Sequence, residues 1–183
     1  MAKQEGKIDM LKIMEIYTKV GTPGEPHKML AKLEGSWTTR SRSWMEPDKP
    51  PIESTGTCEQ KLVLAGHYLQ QDYTGDMMGF PFTGINLLGH NNHTGMYESV
   101  WLDSMSTAIY YFVGAASADG RTITQKCCYD DPVRGPSVWR TVTRIRDDNT
   151  VEFEMFITPE GGNEEKMMEM TIARKGAVTR KAA

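Results

Sequence analysis

At 183 residues, with 39% apolar and 25% charged side chains, the chain has the size and composition of one globular domain. Its formal net charge of −3 gives no basic stripe for a nucleic-acid partner, since Arg40/Arg42 and Arg140/Arg144/Arg146 alternate with uncharged residues as on a strand face. No run approaches the ~18 apolar residues of a membrane span, and Met1–Lys7 lacks the apolar core of a signal peptide, so a cytoplasmic protein with neither a membrane nor a nucleic-acid partner is expected.

Residues 7–20 place Ile13, Ile16, Tyr17 and Val20 on the i, i+3, i+4, i+7 stripe of an amphipathic helix, which Gly21 stops and Pro23-Gly24 turns. A second short helix is predicted over 25–33, with Pro26 in its first turn and Met29, Leu30 and Leu33 on one face. So short a pair cannot fold alone; residues 1–34 are expected to pack on, or cap, a domain built from the rest of the chain. From Gly35 the period becomes two. Ten segments rich in Thr, Val, Ile and aromatic residues recur between Gly, Pro, Asn and Asp: 37–44, 55–64, 68–74, 83–88, 95–102, 107–114, 122–129, 138–146, 151–157 and 166–174. With no helix between them, parallel crossovers are excluded. Ten sequential strands exceed what an open sheet accommodates without curling, so the fold predicted for 35–175 is a mainly-β, roughly ten-stranded antiparallel up-and-down barrel, with a disordered tail over 176–183.

Alternation within the strands sets Thr122, Thr124 and Lys126 against Ile123, Gln125 and Cys127, and Val138, Arg140, Val142 and Arg144 against Trp139, Thr141 and Thr143. The clearest case is Val151, Phe153, Met155 and Ile157 against Glu152, Glu154 and Phe156. The Arg and Thr faces read first as solvated; polar groups on inner faces would instead suit an amphipathic ligand. Cys58, Cys127 and Cys128 are an odd count with an adjacent pair and no CxxC spacing, so reduced thiols are expected rather than a disulfide framework or a metal site.

Gly35-x-Trp37 at the entry to the first strand combines a residue free to turn sharply with a large indole that can close a barrel base. The arrangement resembles the opening of the lipocalin-like superfamily. That resemblance implies an arginine of the last strand over the tryptophan, and Arg174 stands in its place. A longer match runs from about Pro23 to Lys175. It includes Pro26-His27-x-x-Leu30, Gly56-Thr57, Leu64-Ala65-Gly66-His67-Tyr68-Leu69, Tyr73-Thr74-Gly75 and Gly79-Phe80-Pro81-Phe82-x-Gly84. It continues through Trp101-Leu102-Asp103-Ser104-Met105-Ser106-Thr107 and Met168-Glu169-x-Thr171. On these motifs the chain resembles the domain-of-unknown-function 1579 family, a bacterial group, with distant similarity to nitrobindin-type barrels. The resemblance implies a fold, not an activity. Where that family usually carries Gly-Tyr-Asp, this chain has Gly89-His90-Asn91, so no role of that pair carries over.

Asp103 reads as an Asx-turn residue before Ser104, and in second place as a polar group or general base at the barrel mouth. His90 and His93 flank Asn91-Asn92 and read as turn residues, without a third ligand for a metal. Nitrobindin-type barrels hold haem through a C-terminal histidine, and here no histidine follows His93. Neither metal nor cofactor is expected. Of thirteen methionines, Met155 and Met168 read as core filling, while Met77-Met78 could equally line a loop over the mouth. No nucleophile elbow, phosphate loop or dinucleotide fingerprint occurs. The expected function is binding of a small apolar or amphipathic molecule, with Tyr73, Phe82, Trp101, Asp103, Tyr110 and Arg144 as candidate ligand contacts. Two alternatives stay open: a cofactor-independent isomerase or cyclase using Asp103 or Tyr110 with Arg144, and a filled barrel acting through its surface as a homodimer.

Overall fold

Ten antiparallel strands close into an up-and-down barrel in which each strand pairs with its chain neighbours and the first pairs with the last. The computed structural model describes residues 9–46, 48–77 and 79–176; the readings of Met1–Lys7, of Met78 and of a tail over 177–183 fall outside them. The strands are β1 Gly35–Ser43, β2 Ile52–Val63, β3 Tyr68–Met77, β4 Phe80–Asn91, β5 Met96–Asp103, β6 Tyr110–Ala116, β7 Thr122–Asp131, β8 Gly135–Asp147, β9 Thr150–Pro159 and β10 Glu165–Arg174. Several reach further than their predicted spans. β4 and β8 begin before the expected starts because Pro81 and Pro136 sit at the second position of their strands, where the chain end tolerates a missing N–H.

Two helices, α1 Met10–Gly21 and α2 Glu25–Ala31, precede the barrel. The Asp9 carboxylate caps α1 by accepting from the N–H groups of Leu11 (3.0 Å) and Lys12 (3.4 Å). Only α2 joins the core, through Leu30, with Leu33 just beyond its end. The apolar stripe of α1 stays on the surface, Ile16 54% and Tyr17 68% exposed. Its C-terminal end is tied to the barrel instead: Asn92 Nδ2 donates to the carbonyls of Val20 (3.0 Å) and Thr22 (2.8 Å).

The floor of the barrel lies against α2. Leu30, Leu33, Trp37, Cys58, Leu69, Leu88, Tyr97, Ile123, Ile145, Val151 and Ile172 form one buried cluster drawn from α2, the segment after it and nine strands. Trp37 is wholly buried, and its indole N–H donates to the Leu33 carbonyl at 3.0 Å. Arg174 lies over the indole, 4.2 Å from guanidinium carbon to ring centroid. Its nitrogens donate to the carbonyls of Lys32 (2.6 Å), Glu34 (2.6 Å) and Asp148 (2.8 Å). Gly35 adopts φ +128°, and a Cβ there would stand 2.7 Å from Arg174 Nη1, so the residue is required on both counts.

Three histidines from separate segments meet beside α2. His27 is 5% exposed, with its ring centroid 5.8 Å from His90 and 6.4 Å from His67. His27 Nδ1 accepts the Gly24 N–H at 3.0 Å, which requires that nitrogen to be unprotonated. Burial, with the charges His90 and His67 would carry, holds His27 below the ordinary histidine range. The unfolded chain therefore binds a proton that the folded chain refuses. The stability from this site is complete above the unfolded histidine value near 6.5 and is lost as pH falls below it. Urea midpoints are expected to drop between pH 7.5 and pH 5, and H27Q to flatten that slope; an unchanged slope in H27Q would refute the assignment.

The outer face is divided. Across β8, β9, β10 and β1 it carries ion pairs of Arg140 with Glu164, Arg144 and Lys166 with Glu154, Arg146 with Glu152, and Arg42 and Lys166 with Glu169. Within this face Val142, paired across the strands with Thr124 and Glu154, points outward yet is only 4% exposed. Across β4, β5 and β6 the outer face is apolar, with Ile85 opposite Leu102 and Val100 opposite Tyr111.

Candidate functional site

Above the floor, six strands obey one rule. The next inward residue after each floor residue is polar: Thr39 after Trp37, Gln71 after Leu69, Asn86 below Leu88, Ser99 after Tyr97, Gln125 after Ile123 and Thr143 below Ile145. Four of these side chains bond in two pairs, Asn86 with Gln71 and Ser99 with Gln125. Asn86 Nδ2 donates to Gln71 Oε1 (2.8 Å) and Gln71 Nε2 to Gln60 Oε1 (2.9 Å), making a chain of three amides across β2, β3 and β4. On the other side Ser99 Oγ donates to Gln125 Oε1 (3.3 Å), while Gln125 Nε2 donates to the carbonyls of Tyr97 (3.2 Å) and Phe112 (3.4 Å).

Beyond this belt the lining becomes aromatic. Trp101 sits 5.6 Å from Tyr73 and is stacked 6.2 Å from Phe82. Tyr110 lies 4.7 Å from Tyr129 and 5.8 Å from Trp139. Trp101, Tyr129 and Trp139 all pack on the small cluster of Tyr110, Phe112 and Cys127. The opposite wall is Phe153 and Met155 of β9 with Met168 and Met170 of β10, placed inward by their pairing with Val151 and Ile172 in the same register.

The floor is buried, and the inward side chains above it are less so. Thr39, Ser41, Asn86, Trp101, Trp139, Phe153, Met155, Met168 and Met170 point inward from mid-strand, and each keeps part of its surface accessible. Side chains packed in a filled barrel would be buried like those of the floor. The end away from the helices carries the turns joining β3 to β4, β5 to β6, β7 to β8 and β9 to β10.

Five of the six candidate contacts take inward positions: Tyr73, Phe82, Trp101, Asp103 and Tyr110. Asp103 closes β5 at the rim, where Oδ2 accepts the Trp101 indole N–H (2.8 Å) and Oδ1 the Met105 amide (2.9 Å). Ser106 Oγ accepts the Ala108 amide (2.9 Å) and the Tyr110 hydroxyl (3.3 Å). The Trp101–Thr107 motif is thus a rim turn whose polar groups orient two lining aromatics.

Arg144 departs from the expectation. It is on the outer face, paired with Glu154, because Thr143 and Ile145 take the inward positions of β8. The sheet separates it from Asp103 and Tyr110, so no acid–base pair forms among these three. His90 ends β4 against Tyr97 rather than lying in the turn, with ring centroids 5.0 Å apart. Asn91 organises the turn itself, its Oδ1 accepting the amides of His93 (2.9 Å) and Thr94 (3.3 Å). Among the described residues no three His, Cys, Asp or Glu side chains converge on a point where a metal ion could sit. None of the described helices is long and apolar enough to cross a membrane.

Burial leaves the deeper groups neutral. It pushes the Cys58 thiol up to about 12 and raises Tyr73 well above the ordinary phenol range. Among the described residues one fully buried side-chain polar atom has no partner, the Trp139 indole N–H among the rim aromatics. Sequence reasoning passes over the amide belt, Trp139 and Tyr129. The only available signal is the polar residue recurring one inward step from each floor residue.

A profile of the family described as "Protein of unknown function (DUF1579)" matches residues 22–174. No curated protein matches the chain. Among solved structures, Rv2717c from M. tuberculosis is similar at 17% identity and a TM-score of 0.63, covering 84% of this chain and 99% of its own. An S-type phycobiliprotein lyase, CPES from Guillardia theta, is similar at 14% identity and a TM-score of 0.57, covering 82% of this chain and 93% of its own. At these identities the likeness is one of fold.

Proposed function

This chain belongs to the DUF1579 family, and from there we propose that its barrel binds a small apolar or amphipathic molecule between the filled floor and the aromatic rim. The observation that supports this is the accessible surface kept by inward, mid-strand Met168, Met170, Phe153 and Trp101, which a side-chain-filled barrel would lack. Apolar walls with a few convergent polar groups are the usual lining of such sites. Tyr73, Phe82, Trp101, Asp103 and Tyr110 are the proposed lining from β3 to β6, and Met155, Met168 and Trp139 complete it. No resident cofactor and no catalytic step enter this reading, and a cytoplasmic carrier is its simplest form.

Native mass spectrometry of freshly purified protein is expected to show a retained mass, and N-phenyl-1-naphthylamine to gain fluorescence on binding. M168W, which puts an indole into the open space, is expected to weaken that probe at least tenfold. No retained mass together with probe binding indifferent to M168W would refute the proposal. The exposed apolar face of Ile85, Leu102 and Tyr111 supports a second reading, a homodimer acting through its surface.

A further inference from the structure

We infer that the molecule held in the barrel is uncharged, with an apolar, ring-bearing body and a hydroxyl or amide group directed at the belt of amides. The inference rests on the binding role proposed above and narrows it to a chemical class.

Three observations carry it. First, among the described residues the inward positions bear Asp, Glu, Lys or Arg only at strand ends: Arg174 at the floor, and Asp103, Asp131 and Glu165 at the rim. Arg174 is fully engaged by Trp37 and three carbonyls. Asp103 holds Trp101, and Asp131 accepts the amides of Val133 and Arg134, each at 2.9 Å. A carboxylate or phosphate drawn inside would therefore lose its water without meeting a free countercharge, which is strongly unfavourable, and an ammonium would meet a carboxylate only at the rim, beside Glu165.

Second, the belt is a neutral hydrogen-bonding surface with unused capacity of both kinds. In the chain Asn86 to Gln71 to Gln60, the two inner contacts consume one donor of Asn86 and one of Gln71. The Asn86 carbonyl oxygen and the Gln60 amino group are left at the two ends, an acceptor and a donor. The Trp139 N–H adds a second donor without a partner. A neutral group that both accepts and donates matches this set; a carboxylate, which only accepts, leaves the Asn86 oxygen unanswered. Burial also keeps Tyr73 and Cys58 protonated, so they supply no hidden charge.

Third, the aromatic rings do not form a cage for a cation. Tyr110 and Tyr129 are packed on each other at 4.7 Å, and Trp101 and Phe82 stack at 6.2 Å with an interplanar angle of 20°. Rings spent on one another offer edges and one free face to a flat ligand, not the converging faces a quaternary ammonium needs.

The test is competition against bound N-phenyl-1-naphthylamine by three competitors of one chain length: dodecanol, dodecanoate and dodecyltrimethylammonium. Dodecanol is expected to displace the probe at concentrations at least tenfold below either ion. The sulfonated probe 1-anilinonaphthalene-8-sulfonate is expected to bind at least tenfold more weakly than its neutral parent. S41K, which adds an ammonium at an inward position of β1, is expected to move dodecanoate ahead of dodecanol; S43K, one step nearer the mouth, serves if S41K does not fold. Either ion competing as well as dodecanol in the wild-type protein would overturn the inference while leaving the carrier role standing. Failure of the neutral probe to bind at all would remove the carrier role, and this inference with it.

Discussion

Replacing Trp37 with alanine is expected to lower the unfolding free energy by about 4 kcal/mol, read from urea denaturation of the purified protein. The indole is wholly buried at the centre of the floor, so its removal leaves a cavity bounded by α2, Cys58 and Ile172 that a rigid sheet cannot close. The change also strands the Leu33 carbonyl, which accepts the indole N–H at 3.0 Å. R174A is expected to cost less, about 2 kcal/mol, since the three carbonyls it releases at Lys32, Glu34 and Asp148 can recover water. The double variant should be milder than the sum by about 1 kcal/mol, because the stacked contact is lost only once. A Trp37 substitution costing under 1 kcal/mol would mean that the floor is not the stable centre of the fold.

A second large effect is expected at Gly114, where one methyl group should destabilise the protein by about 3 kcal/mol or more. A Cβ there would overlap the Thr124 carbonyl and lie 2.6 Å from the Gln125 Cα, both backbone atoms of the neighbouring strand. Neither can yield without parting β6 from β7, whose ladder runs only from Val113 to Ala116. Gly66 is the control. It needs its φ of +85° but has no atom within 4 Å of the added methyl, so G66A should cost about 1 kcal/mol from backbone strain alone. Equal losses at the two positions in thermal or urea unfolding would show that the β6–β7 approach is not tight.

Much of the architecture is legible in the sequence. The period-two segments after Gly35, with no helix between them, lead to ten antiparallel strands, and Gly35-x-Trp37 marks where they begin. The site is less legible, for reasons that lie in particular residues. Gln71, Asn86, Ser99 and Gln125 each look like ordinary solvent-facing strand residues; only closure of the sheet turns them inward, where they bond in two separate groups. In β8 both faces mix polar and apolar groups, Val138, Arg140, Val142 and Arg144 against Trp139, Thr141 and Thr143. Alternation separates the two sets without saying which one faces in, and it is on this point that Arg144 goes to the wrong side. The histidine contact joins His27, His67 and His90 across three segments, a proximity no local pattern encodes. In α1 the amphipathic stripe suggests packing, but none of its residues is buried, and the hydrogen bonds that tie it to the barrel are at its C-terminal end.

The pairing of β1 with β10 has a consequence for how the chain comes to be folded. The ladder that completes the ring joins Trp37 to Arg174, nearly the whole barrel apart in sequence, so closure cannot precede synthesis of the last strand. Until then β1 and β9 are raw edges, able to pair with any other extended chain. Loop-closure entropy over that span argues for slow, late closure, and a chain truncated before Glu165 is expected to be an aggregation hazard rather than a smaller folded protein. The same ladder that leaves the finished barrel without an edge makes the nascent one dependent on its closing strand.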